Sequence, residues 1–173
     1  GSIAFMRLNH LHPPFNHPKA REAMLYATNQ EDYMMAAFGD PQNWKKCVAM
    51  FGCGGPADSA AGGDALKKQN VEKAKELLKE AGYKGEPVVL LDATDISFLH
   101  QMNLVAAETL KAVGINVQIQ AMDFSMLTSR RAKKEPPAEG GWNVFLTAAL
   151  VSGMMDPLVN AYAGASCDKV LFG

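Results

Sequence analysis

Neither sign of charge predominates in this chain. Its 17 lysines and arginines meet 18 aspartates and glutamates, for a net charge of −1. That excludes the basic excess of a nucleic-acid binder and the acidic run of a solvating tail. Long apolar runs are missing as well, and no stretch reaches the roughly 18 residues of a membrane span. No secretory leader is visible. The ends, however, look artificial: Gly1-Ser2 resembles a cloning scar, and "CDKVLFG" stops on an apolar run without turn logic. The expectation is a single unit, residues 1–173, cut from a longer protein. Cysteine is scarce, with three residues in all. Cys47 and Cys53 have neither the CxxC spacing of redox chemistry nor that of a zinc knuckle. They are either two plain thiols or a small-loop disulfide, the latter worth about 2–3 kcal/mol on the chain-entropy argument. Cys167 is left over.

Catalytic signatures are also lacking. "FGCGGPA" has close glycines but no GK[ST], and Pro56 stands where a phosphate-binding helix would donate N–H groups. There is no G-x-S-x-G elbow and no H-E-x-x-H. His10, His12 and His17 lie close together, and on one strand face His10 and His12 would make a metal site; no carboxylate or cysteine falls at ligand spacing, and solvated imidazoles are the simpler reading. The ten methionines are scattered, most of them on inward faces, and read as core filler, with Met154-Met155 on the loop after the last strand as the exception. No metal and no cofactor is expected.

What is present is an ordinary globular composition, 48% apolar and 20% charged over 173 residues, enough for one domain with a core. "IAFMRLN" reads as a strand that ends before Pro13-Pro14. Pro18 opens a helix, and Asn29 caps a second that Gly39 ends. Residues 40–69 form a long irregular segment, and such segments inside compact domains are usually functional. Asn70 caps a helix carrying Ala74, Leu77 and Leu78, which stops at Gly82. "PVVLLDAT" suits a strand buried on both faces. A long helix runs from about Ile96 to Val113, with Thr94 or Asp95 as its cap. "INVQIQAM" alternates, with Ile115, Val117, Ile119 and Ala121 on the buried face. "FSMLTSRRAKK" is a short helix, and residues 142–150 form the next strand. The β-α-β-α-β order from residue 87 predicts an α/β fold with a largely parallel or mixed sheet and helices on both faces. There is no internal repeat.

Ligands in open α/β sheets bind at the carboxyl edge of the strands. Thr94, Asp95, Phe124, Ser152, Gly153 and Met154 fall at that edge. Asp92, Asp95, Asp123 and Asp156 lie near strand ends, where caps and turns are the simpler reading; Asp156 before Pro157 would cap a following helix.

The order of segments resembles a known family. "LNHLHPPFNHPKAREAMLYATNQEDYM" is similar to the PPF-(D/N)-x-x-x-R-x-A-x-x-x-A segment of family 5 extracellular solute-binding proteins, the peptide, nickel and opine receptors of ABC importers. Pro13, Pro14, Phe15, Arg21, Ala23 and Ala27 match, while Asn29-Gln30 replaces the usual Asp-Arg. "VEKAKELLKEAGY" resembles the family's PEKAKxLLxEAGY helix. "LVAAETLKAVGINVQIQAMDFSML" and "GGWNVFLTAALVSGMMDP" resemble its next two segments, so the likeness runs from about Leu8 to Ala163. It implies one lobe of a class II periplasmic-binding-protein-like fold, with the first lobe of the chain absent. It also implies a non-catalytic receptor that is periplasmic or otherwise extracytoplasmic. Its partners would be a peptide-like or other small solute and the membrane permease of an ABC importer, with no nucleic acid. An exported family favours a Cys47–Cys53 disulfide. The ligand-facing positions become Asp95, Leu150, Ser152, Gly153 and Met154, with residues 51–57 as a wall. Two departures stand out. Leu150 replaces the family's Trp, and Gly153 falls where an Asp pairs with a peptide's amino group. Ala93, Thr94 and Asp95 stand where dipeptide binders carry a basic residue. Since a buried unpaired ammonium is costly, a free dipeptide held in the usual way is not expected. The competing readings are a free-standing α/β hydrolase using Asp95 and Asp156, and an interaction domain with a large apolar patch.

Overall fold

The computed structural model describes residues 1–156 and Asn160. Cys167 and Pro157 lie outside the described residues. Four strands form one mixed sheet in the order β1-β4-β2-β3, with β1 Ser2–Leu8, β2 Val88–Ala93, β3 Val117–Met122 and β4 Val144–Leu150. β2 pairs in parallel with both β3 and β4, and β1 runs antiparallel to β4 from Ser2 opposite Leu150 to Leu8 opposite Val144.

Among the described residues six α-helices accompany the sheet: α1 Pro18–Ala27, α2 Gln30–Phe38, α3 Asp64–Lys67, α4 Val71–Glu80, α5 Ser97–Ala112 and α6 Phe124–Arg130. Their starts follow from side-chain caps that satisfy otherwise orphaned N–H groups. His17 accepts from Lys19 N–H, Asn29 from Glu31 N–H, Asn70 from Lys73 N–H and Asp123 from Met126 N–H. The connection β2-α5-β3 steps away from β4, and β3-α6-β4 steps back across β2. Right-handed crossovers therefore put α5 and α6 on opposite faces. Every residue of β2 is buried, as a strand covered on both sides requires.

The core joins Leu90, Leu91, Met102, Leu110, Leu127, Trp142 and Phe145. One acid sits among them. Asp92 is 2% exposed, and its carboxylate accepts from His100 Nδ1–H at 2.8 Å and Asn103 Nδ2 at 3.1 Å. These bonds peg α5 to β2 and mark Val88, Leu90 and Asp92 as the α5 face. On the outer side of α5, the Tyr33 hydroxyl of α2 donates to Thr109 Oγ1, and burial pushes that phenol up to about 12.

Three expectations change. The long helix uses neither Thr94 nor Asp95 as its cap; Ile96 takes the cap position without a side-chain bond. The alternating strand β3 leaves Ile119 41% exposed and Ala121 open. Both residues sit in register with the α5 face of β2, but β3 is the edge strand and α5 lies over the middle of the sheet. His10 and His12 follow the end of β1 and share no strand face; His12 Nε2 donates to Lys134 carbonyl oxygen, and His17 caps α1.

Candidate ligand-binding edge

Because β2, β3 and β4 are parallel, their carboxyl ends fall on one edge. Short hydrogen bonds join two of the loops there. Thr94 N–H donates to Met122 carbonyl oxygen at 3.0 Å. Asp95 Oδ1 accepts from Phe124 N–H at 2.8 Å, so this exposed aspartate holds the first turn of α6, the helix after the neighbouring strand. The third loop, after β4, is tied to the start of the chain by Val151 N–H donating to Gly1 carbonyl oxygen.

The nominated residues divide. Leu150 is 67% exposed, and Ser152 and Gly153 are exposed in the 3-10 turn Val151–Gly153. Asp95 is exposed as well. Met154 is buried, at 4% exposure, and its carbonyl oxygen accepts from Asn160 Nδ2. Asp156 receives Asn160 N–H on its backbone carbonyl.

Residues 51–57 reach this edge from the irregular segment. A methyl placed on Gly55 would stand 2.5 Å from Met155 Cε, and one on Gly52 would stand 3.6 Å from Val151 Cγ1. At Gly55 the Met155 side chain occupies the space a Cβ would take, and Gly52 is needed for its positive φ of 86° rather than for space. The loop's base is closed by a Cys47–Cys53 disulfide. Gln30 of α2 holds Cys47 by both backbone groups: its Nε2 donates to Cys47 carbonyl oxygen, and its Oε1 accepts Cys47 N–H at 2.8 Å. Sequence reading placed this loop at the edge but gave no sign of Gln30, whose role depends on a partner 17 residues away.

Charge gathers elsewhere. A groove of about 450 Å³ along β1 and α1 is lined by Met6, Leu8, Leu25 and Met50 together with Arg7, His10, Arg21 and Glu22. Partial burial, then the charges of Arg21 and Arg7, hold the His10 imidazole below its usual value. By contrast, the side chains nominated at the strand ends carry one carboxylate and no cation.

An open edge of parallel strand ends whose nominated side chains carry no cation, with a tethered loop beside it, suits the holding of a solute. Comparison with known proteins points the same way. The family model described as bacterial extracellular solute-binding proteins, family 5, middle, matches residues 1–170, and the chain belongs to that family. It is 39% identical over 143 residues to a probable peptide ABC transporter periplasmic-binding protein, y4tO, of Sinorhizobium fredii; the match covers 82% of this chain and 27% of that protein. It is 32% identical over 146 residues to the glutathione-binding protein GsiB of Escherichia coli K12, covering 83% and 27% respectively. The chain thus spans about a quarter of the length of these curated relatives. Among solved structures, a putative peptide binding protein AppA from Clostridium difficile superposes with a TM-score of 0.77 at 17% identity, over 92% of this chain and 32% of that one. DppA from Helicobacter pylori, solved in complex with peptide STSA, gives 0.70 at 20% identity, over 94% and 29%. These likenesses show the fold. The family is one of solute-binding receptors rather than catalysts, which sets the hydrolase reading aside.

Proposed function

We propose that this chain is the ligand-capturing lobe of a two-lobe extracytoplasmic receptor that delivers a small solute to the permease of an ABC importer. The observation that carries the reading is the strand-end edge, where Leu150, Ser152, Gly153 and Asp95 are exposed together on ends fixed by a buried sheet. Closure of a second lobe over such an edge expels water, and lobe motion couples capture to the transporter. Met154 takes part from beneath, setting the shape of the turn that presents Ser152 and Gly153. Relatives described as binding peptides and glutathione support a peptide-like solute. The contacts offered by this lobe favour a ligand end without a fixed negative charge, since Ala93, Thr94 and Asp95 supply no cation. Half of the buried surface lies on the other lobe, so the isolated chain binds weakly.

The test is native mass spectrometry of the receptor expressed with both lobes and purified gently. A retained small molecule, released on unfolding, is expected. Ser152→Trp, a bulky change at an exposed position, abolishes that adduct with the circular dichroism spectrum unchanged. An adduct that survives the substitution places the ligand elsewhere.

A further inference from the structure

The Cys47–Cys53 ring does more than close a surface loop. Its two ends are held very differently. Cys47 is fastened to α2 by both amide groups of Gln30. Cys53 is exposed, and beyond it the chain is held by a local turn in which Asp58 accepts from Gly54 N–H at 2.8 Å and donates its own N–H to Gly55. The residues that face the strand-end turn, Gly55 beside the Met155 side chain and Gly52 on the side of Val151, lie on either side of Cys53. The disulfide adds a second covalent link, beside the main chain 48–52, from the anchored end to this region.

We propose that the Cys47–Cys53 disulfide is a redox-sensitive latch on the ligand-binding edge. Closed, it presses residues 52–55 against the turn 151–155 and fixes the shape of that turn. Opened, it releases the contact while Cys47 stays on α2. The chemistry is a two-electron exchange: one thiolate of a dithiol reductant attacks the exposed Cys53 sulfur, the S–S bond breaks and Cys47 leaves as a thiolate that takes up a proton; the reductant's second thiolate then attacks this mixed disulfide, closing the reductant to its own disulfide and releasing Cys53 as a thiolate that is protonated in turn. The functional meaning rests on the reading of this edge as a ligand site, whereas the mechanical claim does not.

The experiment is hydrogen–deuterium exchange on the full chain, oxidised and then treated with a phosphine reductant, with no ligand added. Reduction is expected to speed exchange about tenfold in peptides covering 52–55 and 148–155, as local opening does. Peptides covering 46–49 and α4 stay as they were, and reoxidation restores protection. Cys53→Ser reproduces the reduced pattern. Unchanged exchange at 148–155 overturns the proposal. So does a rise shared by α4 and β2, which makes the disulfide a general brace. Because the readout contains no solute, a receptor that binds nothing at this edge leaves the result equally decisive.

Discussion

The two ends of the central strands follow different rules. Where β2 and β4 begin, buried polar side chains tie the fold together. Asn143, fully buried, accepts from Val89 N–H on its side-chain oxygen at 2.8 Å and donates its amide to Pro13 carbonyl oxygen at 2.9 Å. Asn9, equally buried, donates to Trp142 carbonyl oxygen at 2.8 Å and accepts from Leu11 N–H. Arg130 clamps Gly141 carbonyl oxygen, and Trp142 Nε1 donates to Arg131. A methyl on Gly141 would stand 1.9 Å from Glu135 carbonyl oxygen, so only glycine fits. Where the same strands end, Thr94, Asp95, Leu150, Ser152 and Gly153 face outward. One end spends its buried polar groups on holding the sheet; at the other, Thr94 and Asp95 join neighbouring loops while Leu150, Ser152 and Gly153 stay exposed. Rigidity at the first end is what lets the second be open without collapsing.

The comparison breaks most sharply at Trp142. Its side chain is fully buried and packs edge-on against Phe145, with ring centroids 4.9 Å apart. Trp142→Ala opens a large cavity, removes the indole donor to Arg131 carbonyl oxygen, and is expected to cost about 3–5 kcal/mol. Urea unfolding of the wild-type and variant chains measures the loss. A cost below about 1 kcal/mol contradicts the claim that this end carries the fold.

Much of this division was legible in the sequence. The caps at Asn29 and Asn70, the doubly buried β2 and the β-α-β-α-β order follow from residue chemistry and period. What stayed hidden depends on partners far along the chain. Asn143 looks like one more strand residue until Val89 and Pro13 come beside it, and the ladder then begins at Val144 rather than 142. The alternation in β3 gave the right period but could not show that this strand is the edge left uncovered by α5. Of the candidate site, the loops were legible because parallel topology gathers strand ends. The inward position of Met154 was not, because burial in an irregular turn has no period.

A smaller effect sits on the border between the two regimes. Asp95 was read both as a helix cap and as a ligand contact. In the structure it caps, though not the helix expected: it serves α6 across the edge through Phe124 N–H. Asp95→Ala therefore costs about 1 kcal/mol, the usual value of a lost cap. Asp95→Asn retains most of it, because the amide oxygen accepts the same bond. Thermal unfolding of both variants checks this. An alanine variant as stable as the wild type frees Asp95 entirely for the solute.

The smallest effect on stability belongs to Leu150, and there the comparison is sharpest. Its side chain is 67% exposed at the last position of β4, opposite Ser2. An exposed leucine buries little in the folded chain, so Leu150→Ala shifts the unfolding free energy by no more than about 0.5 kcal/mol. The same change removes an apolar surface from the proposed ligand edge, and solute retention by the two-lobe receptor should fall in native mass spectrometry. The two readouts move apart here, whereas at Trp142 they move together, because a variant that fails to fold also fails to bind. If Leu150→Ala costs as much as a core substitution, the outward face of β4 serves the fold, and the ligand edge contracts to the turn at Ser152 and Gly153.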